Sequence, residues 1–112
     1  LVLHRIQFSI PVFYQEGNLL KVLLKLKQPK SILEVGTAVG YSSILMSENM
    51  PVDCKIVTIE NYDKRIPIAR NNIKRAGKED CIQLIEGDAM EVLKELEGPL
   101  TLYLWMQPRG SI

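Results

Sequence analysis

Three short stretches carry the side chains able to do chemistry. The run Glu34-Val35-Gly36-Thr37-Ala38-Val39-Gly40-Tyr41-Ser42 combines a carboxyl group, two glycines and several hydroxyls. Glu60 closes a β-branched run, and Glu86-Gly87-Asp88-Ala89 follows another apolar one. A turn bounded by glycines lets backbone N–H groups approach a ligand, because Gly lacks a Cβ and tolerates unusual φ/ψ. A carboxylate at position 60 stands where a ribose hydroxyl is expected in a nucleotide-type site. The spacing Glu-x-Gly-x-x-x-Gly lacks the second close-approach glycine of the dinucleotide fingerprint and the Lys of a phosphate loop. Pyrophosphate and triphosphate are therefore poor fits. A nucleoside without phosphates fits better, and that points to S-adenosylmethionine.

Alternating elements must position these residues. Leu19 to Leu26, broken by Lys21 and Lys25, reads as an amphipathic helix ending before Pro29. Ser31–Val35, Lys55–Glu60 and Ile82–Glu86 read as strands rich in branched apolar residues. Between and after them, helices are expected over Tyr41 to about Asn49, Asp63 to Ala76, and Ala89 to Glu97. Pro67 falls in an early turn and Gly77 at a C′ position. Met90, Val92, Leu93 and Leu96 are expected to face inward. Ile10, Val12 and Phe13 around Pro11 suggest an extended segment. Strict alternation of strand and helix implies an α/β fold with a Rossmann-like, doubly wound parallel sheet.

The 112 residues suffice for one small domain, with 46% hydrophobic and 24% charged residues as in ordinary globular chains. A net charge of +1 implies no bulk attraction to nucleic acid or anionic membrane. Cys54 and Cys81 lack metal-site spacing and read as reduced thiols of a cytoplasmic protein. No apolar run reaches membrane-span length and no secretory signal is evident. The start at Leu1 rather than Met suggests a fragment. His4 lies outside any motif. The basic set Lys64, Arg65, Arg70, Lys74 and Arg75 reads as a solvated helix face.

Ile10-Pro11-Val12, Ile32 to Ser42, Ile56 to Glu60 and Glu86 to Ala89, taken in order, resemble class I S-adenosylmethionine-dependent O-methyltransferases. Within them the chain is similar to the bacterial family related to catechol and caffeoyl-CoA O-methyltransferases. Lys27-Gln28-Pro29-Lys30 looks closest to the branch that methylates tRNA 5-hydroxyuridine. The resemblance implies a cofactor set of Val12, Glu34, Gly36, Thr37, Tyr41, Ser42, Glu60, Asp88 and Ala89. In it, Gly36 passes beside the methionine portion, Ser42 binds its carboxylate and Glu34 helps hold its amino group. Glu60 accepts the ribose hydroxyls, Asp88 and Ala89 contact adenine, and Val12 lines the site by its backbone. Each has a structural competitor: a cap for Ser42 and Asp88, an exposed strand end for Glu60, packing for Tyr41. The family further implies a hydroxyl acceptor (a small phenol or tRNA), Mg²⁺, and a homodimer in the full-length parent.

The domain is expected as a partial one over 1–112: an N-terminal segment and helix (1–30), the cofactor-binding βαβαβα unit (31–99), and an aberrant tail (100–112). After Gly98-Pro99 the family pattern reads Phe-Asp-Phe-Ile-Phe-Met-Asp-Ala-Ala-Lys, its last acidic residue a metal ligand. Here the chain reads Leu100-Thr101-Leu102-Tyr103-Leu104-Trp105-Met106-Gln107-Pro108-Arg109-Gly110-Ser111-Ile112. One permitted back-translation, with a single T restored at its start, encodes that pattern through the metal loop. The single codons of Trp105 and Met106 supply its Met-Asp core. Residues 100–112 are therefore expected to arise from a one-base deletion. The metal ligands and acceptor pocket are then not written in this chain.

Overall fold

In the computed structural model, β-branched runs become strands of one parallel sheet and the 3.6-period segments between them become helices. The structure describes residues 9–12, 17–96 and 102–106. The expectations for His4, Phe13, Glu97 and residues 107–112 lie outside these. In chain order the elements are β1 (Ser9–Val12), α1 (Gly17–Lys27), β2 (Ser31–Val35), α2 (Tyr41–Ser47), β3 (Lys55–Glu60), α3 (Ile66–Arg75), β4 (Ile82–Glu86), α4 (Ala89–Glu95) and β5 (Leu102–Met106).

The sheet order is β1-β5-β2-β3-β4, every neighbouring pair parallel. Glu34 lies opposite Thr58, and Glu60 opposite Glu86. From β2 the chain proceeds to β3 and β4 on one side, then returns to place β5 on the other. The carboxyl end of β2 is thus a topological switch point, where open α/β sheets place their ligands. Leu102, Leu104 and Met106 occupy a strand position, as their apolar character allows.

Alternation along each strand feeds two cores. On one face Ile32, Ile56, Ile82 and Leu84 meet Leu20 and Leu24 of α1, Met46 of α2, and Ile66, Ala69 and Ile73 of α3. On the other, Leu33 and Ile59 meet Val92 and Leu93 of α4. Burial on both faces is what the continuous apolar runs of a parallel sheet require.

Helix ends and one inward-facing residue differ from expectation, α4 closing at Glu95 with Leu96 extended. The α3 helix begins at Ile66 rather than Asp63, with Pro67 in its first turn and Tyr62 O accepting from the N–H groups of Arg65 and Ile66. Helix α2 closes at Ser47, where the Ser47 hydroxyl and the Asn49 amide cap carbonyls of the last turn. Met90, expected inside, is 66% exposed. The buried stripe of α4 runs Ala89, Val92, Leu93, Leu96, and Met90 falls off that i, i+3, i+4, i+7 set. Gln28 closes α1 at φ 46°, its side-chain amide donating to the carbonyls of Leu24 and Lys25 before Pro29.

Candidate functional site

The face of β2 and β3 that packs on α1, α2 and α3 climbs from apolar to polar. Ile32 and Ile56 form a dry layer, Glu34 and Thr58 the next, and Glu60 the rim at the carboxyl end. The turn after β2 passes over this rim. Gly36 and Gly40 adopt φ of 98° and 91°, and Ala38 a φ of 53°. An L-residue in that region costs about 1–2 kcal/mol, so the turn must be held from outside.

It is held from three sides. The N–H groups of Gly36 and Thr37 donate to Ile59 O at 2.8 and 3.3 Å. Ala38 N donates to Glu60 Oε1 at 2.7 Å, while Tyr62 N donates to Glu60 Oε2 at 3.2 Å. Asn72 on α3 donates through Nδ2 to Val39 O at 2.8 Å. Each carboxylate oxygen offers two acceptor sites. Glu60, 6% exposed at the strand tip, therefore keeps capacity for a pair of hydroxyls beside the turn.

Below the rim, Glu34 is fully buried and its carboxyl accepts hydrogen bonds from the hydroxyls of Ser42, Ser43 and Thr58. Thr58 Oγ1 donates to Glu34 Oε1 at 2.6 Å and lies 2.6 Å from Thr37 Oγ1. Burial drives the Glu34 pKa up, against the three hydroxyls, which lower it; the charge of Glu60 adds a smaller upward push. Ser42, expected at the ligand, is 1% exposed and gives its hydroxyl to Glu34.

Asp88 caps α4, accepting from the N–H groups of Met90 and Glu91 at 3.1 and 3.2 Å. Its neighbour Ala89 is half-buried against the α4 core. Gly87 N donates to Glu60 O at 3.0 Å, which ties this loop to the rim. Val12 pairs with Met106, one residue beyond Trp105, the partner of Val35, so its backbone also lies at the carboxyl end of the sheet. Tyr41 is 54% exposed at the start of α2. The structure thus gathers Glu34, Gly36, Thr37, Ser42 and Glu60 around one turn and sets Val12, Asp88 and Ala89 at the same end of the sheet. Sequence reasoning missed Ser43, Thr58 and Asn72. The period-2 series Ile56, Thr58, Glu60 was the available signal for Thr58; nothing marked Asn72.

The remaining candidates are quiet. Cys54 and Cys81 are free thiols, and burial, then the charges of Asp53 and Cys81, push Cys54 up to about 11. Arg70 pairs with Glu86 at 3.1 Å on an exposed surface, a contact worth under about 1 kcal/mol.

A parallel sheet with a glycine-bounded turn and a carboxylate at its switch point defines a doubly wound, Rossmann-like α/β domain. The O-methyltransferase family matches residues 3–101, and the chain belongs to that family. It is 38% identical over 88 residues to a catechol O-methyltransferase of Niastella koreensis, covering 79% of this chain and 40% of the relative. The structure of the SAH-bound Podospora anserina methyltransferase PaMTH1 is similar with a TM-score of 0.75 at 36% identity, over 80% of this chain and 38% of that one. The O-methyltransferase from Bacillus cereus in complex with SAH is similar with a TM-score of 0.74 at 29% identity, over 81% and 43%. The chain spans about two fifths of the length of the curated relatives it matches. Among the described residues no helix is long and apolar enough to cross a membrane.

Proposed function

We propose that this chain carries the cofactor site of an S-adenosylmethionine-dependent O-methyltransferase acting on a hydroxyl of a small phenol or of tRNA 5-hydroxyuridine. The observation that carries this reading is the pairing of the Gly36–Gly40 turn with the Glu60 carboxylate at the switch point of the sheet. Two similar proteins hold S-adenosylhomocysteine in their structures, which supports the same ligand class here. The residues present fit the group. Glu60 would accept the ribose hydroxyls, and the glycines admit the ligand to the backbone between β2 and α2. Bound there, S-adenosylmethionine supplies a methyl group activated by its cationic sulfonium.

Among the described residues no group of three or more His, Cys, Asp or Glu side chains is placed to hold a metal ion. We assign none of the described residues to the Mg²⁺ implied by the family resemblance, and no metal-assisted step to them. A second reading, cofactor binding without turnover, is favoured by the tail. Residues 100–112 depart from the family pattern, and we read them as the product of a one-base deletion. Assay of the full chain with methyl-labelled S-adenosylmethionine separates the two. Label transferred to catechol or to tRNA supports the enzyme and names the acceptor class. Cofactor binding without transfer supports the second reading.

A further inference from the structure

A carboxyl group sits fully buried under the turn at Glu34, where an apolar side chain would cost less to bury. Its three donors come from two elements that flank the turn: Ser42 and Ser43 from the first turn of α2, and Thr58 from β3. A fourth hydroxyl, that of Thr37, lies in the turn itself and bonds to Thr58 at 2.6 Å. With Thr58 donating to Glu34, Thr37 is the donor to Thr58, so the chain of bonds has one direction from turn to carboxyl. Glu34, Thr37, Ser42, Ser43 and Thr58 are each 0–1% exposed. Among the described residues no buried side-chain N or O atom lacks a partner. A network satisfied at every member fixes relative positions, whereas a half-satisfied one is costly.

We propose that Glu34 is a positioning residue, its buried carboxyl locking the Gly36–Gly40 turn and the start of α2 through Thr58, Thr37, Ser42 and Ser43 into the form that receives the nucleoside. It acts on the turn from beneath, where it is fully buried. Thr58 is the critical link, because it joins the carboxyl to Thr37, the turn's own hydroxyl. This rests on the S-adenosylmethionine reading for the identity of the ligand, but not for the locking of the turn.

The test uses the full chain and its Thr58→Val, Thr58→Ser and Ser43→Ala variants. Two quantities are measured: affinity for S-adenosylhomocysteine, and amide hydrogen exchange without ligand. Thr58→Val keeps the shape of the side chain and removes the hydroxyl. It is expected to speed exchange across residues 36–43 while leaving β4 and α4 unchanged. It should weaken binding about tenfold, as the receptive turn falls to a minor population. Thr58→Ser should restore both. Ser43→Ala, which removes a different donor from Oε1, should reproduce the loss and decides the matter if Thr58→Val does not fold. Wild-type exchange across 36–43 in folded Thr58→Val or Ser43→Ala overturns the proposal, as does loss in Thr58→Ser equal to that in Thr58→Val. Failure of the wild-type chain to bind S-adenosylhomocysteine overturns the cofactor reading alone, and the exchange measurement then still judges the lock.

Discussion

Glu34 and Glu60 lie on one face of the sheet, on β2 and β3, yet do opposite work. One is sealed under the turn; the other closes its rim. The raised pKa of Glu34 means that the folded protein retains a proton which the unfolded chain releases near its ordinary value of 4.5. Stability contributed by that proton is full below about 4.5 and is lost as pH climbs through the raised folded value. Thermal unfolding across this window should therefore show a decline with pH that Glu34→Gln lacks. Equal slopes in the two proteins would contradict the burial of a titrating carboxyl. The sequence showed Glu34, Gly36 and Glu60 as a set because their spacing is dictated by one turn and one strand. It could not show that Ser42 turns inward to Glu34, because that depends on how α2 docks on β2. Asp88 was legible for the local reason that capping is a local event.

At the level of elements, the turn and α2 depend on backbone conformation more than on contact area. A Cβ on Gly40 would meet Ala69 O at 3.6 Å and Ile73 Cγ1 at 3.7 Å, ordinary distances, so the obstacle is its φ of 91°. Gly40→Ala should cost about 1–2 kcal/mol in denaturant unfolding. A neutral result would show that the turn relaxes freely. Core positions follow a different rule. Ile56, 1% exposed between β2 and β4, should lose about 2–5 kcal/mol as Ile56→Ala through the cavity left behind. A loss under about 1 kcal/mol would mean that the layer beneath Glu34 is loosely packed. Strand and helix identities were readable from period and punctuation. Helix ends were not, because Pro67 and the carbonyl of Tyr62 set the start of α3 through bonds that hydropathy does not encode. Met90 shows the same limit: apolar character alone does not place a residue on the buried stripe.

For the whole molecule, the doubly wound order assembles the site by bringing the ends of β2, β3 and β4 to one edge. That order was foreseeable from the alternation of elements, since parallel strands need crossovers. The apolar tail indicated that Leu102, Leu104 and Met106 fill a strand, but not that this strand lies between β1 and β2. If residues 100–112 arise from a lost base, resequencing the locus should show one additional T ahead of the Leu100 codon. An intact frame through Trp105 and Met106 would refute that origin. The central claim, that the turn and Glu60 form a nucleoside site for S-adenosylmethionine, is tested most directly by calorimetric titration of the full chain with S-adenosylhomocysteine. Glu60→Ala serves as the control. The account expects saturable one-site binding, weakened by roughly 10–100-fold in Glu60→Ala through loss of charge-assisted bonds to the ribose. Equal affinity in the two proteins, or binding of NAD(H) in place of S-adenosylhomocysteine, would contradict it.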